Sequence, residues 1–401
     1  MQAVAQSLGA IARQESISSE IQLLTTFDQI ESVGKAWEQF QWHPNADADF
    51  FRLITEGRKE IKGPCVLALR EGEQVKALLA GRVRSSHLSN LPGFAAVMQP
   101  RLKVLEVIYG GMMGDWSGEN LDRLLVFLKS SLAGGLWHAV RFRMLNLQSP
   151  LWERSRSYFR RICRGSVAAP SLHWSLSLPK SYEEFYRALD GKIRKNLNRQ
   201  RKRLETDFSE VSVSHFDRIE DLDRITVTTD AIVSKTYQKG LEKDWRGEEM
   251  TKRVGLWLSR GQLMACFLYL NGRACAYQHV LKYQGRAFGA GTAYDPGFQR
   301  YGVGRFIQLK ALEKLYEHRD VTELDFGFGD AEYKRELCNR HWEEADLVLF
   351  GASRAGLLAN AMRTAETAAI RLGTRLLKSA GMFGWAKDAW RESRRKSHRK
   401  G

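Results

Sequence analysis

From Glu20 onward, apolar residues fall into two rhythms: short blocks that are continuous or alternate every second position, and longer runs spaced at three and four. The stretch "CVLALREGEQVKALLAGRV" (65–83) predicts two strands joined by a tight turn at Glu71, Gly72 and Glu73. The same shape recurs in "CFLYLNGRACAYQHVL" (266–281), where Asn271 and Gly272 form a strong local hairpin signal. After the first hairpin come the strand-like "RLKVLEVIYGG", the helical "NLDRLLVFLKSSL" and the strand-like "HAVRFRMLNL". After the second come "RAFGAGTAYD", a helical run from about Val303 and "VTELDFGF". This weak internal repeat, with hairpins about 200 residues apart, predicts two copies of one α/β unit. Because hairpin, helix, strand is a common order, coincidence is the competing explanation.

The copies differ where the third strand meets the helix. The second has "QRYGVG" (299–304) and the first has "MMGDWSGEN", without that spacing. Two basic segments frame the second copy. "DGKIRKNLNRQRKRLE" (190–205) holds seven Lys or Arg between Lys192 and Arg203, while Ile193, Leu197 and Leu204 share a narrow stripe. This predicts a helix seated by its apolar stripe, with cations over the remaining surface. From Arg354 to Lys400 there are 12 basic and 3 acidic residues, and Leu372, Leu376, Ala380 and Phe383 can share a face opposite Arg371, Arg375 and Lys378. The division expected is a flexible tail at 1–19, an α/β unit at 20–175, a second at 176–352 and a basic helical tail at 353–401.

Composition narrows the function classes. Sixty-two Lys plus Arg against 46 Asp plus Glu give a net charge of +16, which favours anionic partners without choosing among nucleotides, nucleic acid, acidic glycans and anionic membrane. The five cysteines (Cys65, Cys163, Cys266, Cys275, Cys338) are scattered and odd in number, with no CxxC pair, so neither a disulfide frame nor a zinc site is expected. No window approaches the roughly 18 apolar residues that span a bilayer. A cytoplasmic location, with peripheral contact at the inner membrane, is the expectation.

The two glycines of "QRYGVG" need a reason, because each costs about 0.5–1 kcal/mol inside a helix. A glycine loop that opens a helix presents backbone N–H groups and the positive end of the helix dipole, a site suited to pyrophosphate. Arg300 and Arg305 add charge beside it. Gln299-x-x-Gly302-x-Gly304 resembles the Q/R-x-x-G-x-G/A loop with which GNAT acyltransferases hold the pyrophosphate of acetyl-CoA. With "LDFGFGDAEYKREL" downstream, the stretch is similar to the acetyltransferase domain of CelD/BcsL-type proteins of cellulose and exopolysaccharide biosynthesis, and the basic helix is similar to that group and to the related FemABX family. The resemblance covers about residues 25–352 and implies a tandem GNAT-like fold of two mixed-sheet units with flanking helices. It further implies acyl-CoA as co-substrate, held by Gln299, Arg300, Tyr301, Gly302, Val303, Gly304 and Arg305.

In that family an amine or hydroxyl attacks the thioester with help from a base, and a tyrosine protonates the departing thiolate. Tyr333 has the matching order along the chain. His279, on the strand "ACAYQHVL", is the side chain with a useful pKa for base work, with Asp325 and Asp330 as further candidates. Lys334, Lys195 and Arg199 are candidates for binding an acidic group of donor or substrate. Each has a plainer reading: His279 as a hydrogen-bonded strand residue, Tyr333 as packing, Asp330 as a helix N-cap, and the charged runs as solvated faces. The activity expected is acyl transfer to a saccharide hydroxyl or an amine in envelope or exopolysaccharide metabolism, with no metal and no DNA. The alternatives are FemABX-like transfer from aminoacyl-tRNA and a non-catalytic GNAT fold that binds an anionic polymer or membrane.

Overall fold

The structure, a computed structural model, describes residues 19–89, 100–167, 169–236 and 247–379. The tail expected before Ser19 and the end of the basic tail, with Ala380 and Phe383, lie outside the described residues. The chain divides into two compact units, Met1–Val167 with Asp346–Thr367 and Ala168–Ala345 with Ala368–Gly401.

In the first unit a strand β1 (Ser19–Leu24) leads into helices α1 (Phe27–Glu31), α2 (Gly34–Phe40) and α3 (Ala48–Gly57). Their starts are written locally: Thr26 and Gln29 close a capping box on α1, and Asp47 accepts the Phe50 N–H at 3.0 Å to cap α3. The predicted hairpin follows as β2 (Ile61–Glu71) and β3 (Gln74–Ser86), then β4 (Leu102–Gly114), α4 (Gly118–Ala133), β5 (Ala139–Asn146) and α5 (Pro150–Tyr158). Leu121, Leu124, Leu125, Leu128 and Leu132 recur at helical spacing along α4, and all are buried in one core with β2, β3 and β5. Strand order is β1-β2-β3-β4-β5; neighbours are antiparallel except β4 and β5, which the crossover through α4 makes parallel.

The second unit holds β6 (Ser171–Ser177), α6 (Tyr182–Ala188), α7 (Gly191–Asp207), β7 (Val211–Phe216), α8 (Leu222–Val233), α9 (Glu248–Ser259), β8 (Leu263–Leu270), β9 (Arg273–Tyr283) and β10 (Arg286–Tyr294). A 3₁₀ turn (Pro296–Tyr301) then enters α10 (Val303–Leu315), followed by β11 (Glu323–Phe328), α11 (Glu332–Leu337) and β12 (Arg340–Phe350); the last helix, α12 (Arg354–Ser379), belongs to the first unit as far as Thr367 and to the second from Ala368. Here the order is β12-β6-β11-β10-β9-β8-β7, with β10 and β11 parallel and β6 antiparallel to both its neighbours. The expected boundary at 175 would cut β6, whose pairing with β11 and β12 puts it in the second unit; β12 begins there, and residues 346–350 are counted with the first.

Each unit contains the repeat legible in the sequence, an antiparallel hairpin followed by strand, helix and parallel strand. In the second unit the apolar side of α10 (Val303, Ile307, Ala311, Leu315) closes a core over β8 and β9, with Leu197 and Leu204 of α7 in the same cluster. Burying each such large aliphatic side chain stabilises the fold by about 1.5–3 kcal/mol, so the start of α10 and the basic helix are anchored by their apolar residues.

Candidate active site

The glycine loop is shaped by close packing. Gly302 is the N-cap of α10 with φ +68, the left-handed conformation that a Cβ disfavours. A Cβ there would also lie 2.4 Å from the side-chain amide carbon of Gln200, and one on Gly304 would lie 2.8 Å from the Tyr294 ring. The first bond of the α10 ladder, Phe306 N–H to the Gly302 carbonyl at 3.0 Å, leaves the N–H groups of Val303, Gly304 and Arg305 outside the helix's own ladder. Tyr301 and Val303 are buried, Tyr301 with its ring 4.9 Å from Phe208, so these two can offer a ligand only backbone. Gln299 and Arg300 are exposed; the Arg300 guanidinium donates to the Tyr301 hydroxyl at 2.6 Å and Arg305 pairs with Glu336. In the first unit the equivalent helix start has no such glycine loop: its N-cap is Ser117, whose backbone N–H and hydroxyl both donate to Asp115.

Next to this loop the sheet opens. Strands β10 and β11 pair only from Arg286, Ala287 and Phe288 to Glu323, Leu324 and Asp325, and then part. Both carry an irregularity at the opening, β10 between Gly289 and Gly291 and β11 between Asp325 and Gly327. Tyr333, on the first turn of α11, is half-buried with its ring 6.1 Å from Phe326. Lys334 does not present its ammonium to a ligand: it is 5% exposed and donates to the carbonyls of Gly327 and Phe328, 2.9 Å each. Burial pushes it down to about 8, and those two bonds tie the end of β11 to α11. The expected substrate contact at Lys334 is therefore corrected to a brace.

Asp325 stands at the point where the strands part, and sequence reasoning missed its partners. His173 on β6, 1% exposed, sits between two carboxylates, with Nε2 2.7 Å from Asp325 and Nδ1 3.0 Å from Glu344 of β12. The Trp342 ring stacks on its imidazole at 4.4 Å, and the Trp342 indole donates to the other oxygen of Glu344 at 2.7 Å. Burial pulls the imidazole pKa down, but the two carboxylates outweigh it and hold His173 at about 9, an imidazolium at neutral pH. Asp325 also accepts the Gly327 N–H at 2.6 Å, so this carboxylate is committed to fixing the bulge. A lone histidine in "SLHWSLS" carries no sequence signal, because the pairing of β6 between β11 and β12 creates the contact.

His279 does not fit the base role expected for it. It points to the sheet face covered by α8, where its Nε2 is 2.8 Å from the Thr229 hydroxyl, while its neighbour Val280 faces the core under α10. Burial pushes it down to about 3, leaving a neutral imidazole too weakly basic to take a proton near neutrality. Asp330 is exposed and paired with Arg335; the N-cap of α11 is Ala331, so Asp330 does not cap that helix. Lys195 and Arg199 line an open groove between α7 and α11, of about 1110 Å³, with Lys192, Arg194, Lys202, Glu332 and Glu336.

Residues 191–335, within the second unit, match the profile of the acetyltransferase (GNAT) domain. No curated protein matches the chain by sequence. Among solved structures, FemX is similar at 11% identity, over 82% of this chain and 97% of FemX, with a TM-score of 0.54, which shows a shared tandem GNAT-like fold. L-PGS from Bacillus licheniformis (11% identity, 86% of this chain and 96% of that one, TM-score 0.46) is also similar. So is a tandem GNAT protein from the clavulanic acid biosynthesis pathway (11%, 83% and 99%, 0.46).

Proposed function

We propose that the protein transfers an acyl group from acyl-CoA to an amine or hydroxyl acceptor, with the second unit as its catalytic unit. The observation that carries this reading is the adjacency of two features: the start of α10, whose first N–H groups behind Gly302 lie outside its own ladder, and the opening where β10 and β11 part. The donor's pyrophosphate meets the N–H groups and dipole of α10, and its pantetheine arm lies between the parted strands, where strand backbone is left without a partner across the opening. The acceptor's lone pair attacks the thioester carbon, the tetrahedral adduct collapses with cleavage of the C–S bond, and the thiolate takes the phenolic proton of Tyr333. Both carboxylates expected as bases are paired, Asp325 with His173 and Gly327 and Asp330 with Arg335; Asp330, the exposed one, is within reach of an acceptor and receives its proton. The acceptor class we favour is a saccharide or amine of envelope or exopolysaccharide metabolism, supported by the similarity of "LDFGFGDAEYKREL" to CelD/BcsL-type domains. The basic end of α12 and the residues after it make a peripheral contact with anionic membrane on this reading.

Calorimetry on the full chain with acetyl-CoA and longer acyl-CoAs, followed by turnover of the best donor, tests the proposal. Tyr333→Phe should leave donor affinity nearly unchanged and slow turnover by about 10²-fold or more, the scale of a lost general acid. Absence of binding by every acyl-CoA would sink the donor assignment. Full turnover by Tyr333→Phe, with chemistry limiting, would remove the tyrosine from the mechanism.

A further inference from the structure

The end of β11 is bent at one residue, and that residue packs on the tyrosine assigned as acid. Asp325 pairs with Ser175 of β6 and Gly327 pairs with Trp174, so Phe326 between them has no partner in register and forms a bulge. Gly327 has φ +71, and a Cβ there would meet nothing within 4 Å, so this glycine answers the left-handed backbone of the bulge and not a lack of space. The Phe326 ring meets the Tyr333 ring edge-on at 6.1 Å, within the range of aromatic pairs. Lys334, the next residue, donates to the carbonyls of Gly327 and Phe328 at 2.9 Å each. The bulge therefore sets where Tyr333 stands.

One oxygen of Asp325 holds the bulge from the sheet side. Its Oδ1 accepts the Gly327 N–H at 2.6 Å and meets Nε2 of His173 at 2.7 Å. Nδ1 of the same imidazole is 3.0 Å from Glu344, whose second oxygen accepts the Trp342 indole N–H at 2.7 Å, while the Trp342 ring stacks on the imidazole 12° from parallel. Ladder pairing already joins β6 to β11 and to β12. A buried ion cluster costs more than an apolar layer of the same volume, and what it adds over that layer is a fixed orientation. The group oriented here is the Asp325 carboxylate, whose direction decides where the Gly327 N–H lies. We propose that His173 is a positioning residue for acyl transfer: held by Glu344 and Trp342, it orients Asp325 and, through the bulge at Phe326, aligns the Tyr333 phenol with the departing thiolate. The proposal rests on the acyl-CoA reading and adds to it the residues that aim the acid.

The test is a double-mutant cycle on the full chain, read as release of the CoA thiol from acetyl-CoA with water as acceptor, alongside acetyl-CoA affinity by calorimetry. His173→Gln should slow release about tenfold at unchanged affinity, a smaller loss than that of Tyr333→Phe because the acid is misplaced and still present. In the Tyr333→Phe background the same change should cost less than about twofold, since no acid is left to align; a merely structural role would slow both backgrounds alike. Gly327→Ala, which strains the bulge through the backbone and leaves the ion cluster intact, should repeat both results, and it decides the question where His173→Gln does not fold. Equal losses in both backgrounds, a matching loss of acetyl-CoA affinity, or full turnover by a folded His173→Gln protein overturns the positioning role and leaves the donor reading standing. Full turnover by Tyr333→Phe alone removes the acid from the mechanism and this proposal with it.

Discussion

His173 shows how much one side chain settles. Its imidazolium joins strands β11 and β12 through Asp325 and Glu344 while lying almost wholly out of water, so its charge is tolerable only because both ring nitrogens meet carboxylates. Its folded pKa of about 9 lies above the ordinary value of 6.5, so the proton is bound more tightly in the folded protein. Its contribution is therefore complete below about pH 6.5 and is lost as pH rises through about 9. The melting temperature should fall between pH 6.5 and 9.5, and His173→Gln, which keeps a donor but cannot titrate, should be less stable at pH 6.5 and show a flatter profile. An unchanged pH profile in a folded His173→Gln protein would mean that the imidazole is neutral and the two carboxylates are stabilised by other means.

At the scale of elements, the start of α10 is where close packing and the proposed donor contact are two explanations of the same glycines. A side chain at 304 meets the Tyr294 ring, so Gly304→Val should cost about 1–3 kcal/mol in overpacking as well as weaken donor binding. The two effects separate in the double variant Gly304→Val with Tyr294→Ala, which makes room for the new methyls. Thermal unfolding should then recover toward wild type while CoA affinity stays low. Recovery of CoA affinity together with stability would assign Gly304 to packing alone. The spacing Q-x-x-G-x-G was legible in the sequence, but Gln200 and Tyr294 as the reasons for close approach were not, because they come from elements about 100 residues before the loop and from the strand that enters it.

For the whole molecule, the basic C-terminal end sets exposed apolar residues beside exposed cations. Leu372 and Leu376 are each 60% exposed on the last turns of α12, beside the exposed Arg371 and Arg375. No helix among the described residues is long and apolar enough to cross a membrane. Truncation after Ala368 should leave acyl-CoA affinity intact and reduce salt-sensitive binding to anionic vesicles, since each Lys or Arg near such a surface is worth roughly 1 kcal/mol. Equal vesicle binding by the full and truncated chains would remove the tail from any membrane role.

What the sequence determined by itself was local and periodic. Alternation in 65–83 and 266–281 specified the hairpins, spacing at three and four specified α4, α7 and α10, and Asn271–Gly272 specified a turn, because each depends on residues a few positions apart. The glycines that open α10 were legible for the same reason, as a motif within a single segment. Tertiary structure alone decided the rest. Insertion of β6 between β11 and β12 brought His173 to Asp325 and Glu344, the face of β9 sent His279 beneath α8, and burial of Lys334 turned a presumed ligand contact into a brace. Whether a titratable side chain is charged, buried or exposed depends on neighbours contributed by distant segments, and no spacing along one strand or helix encodes them.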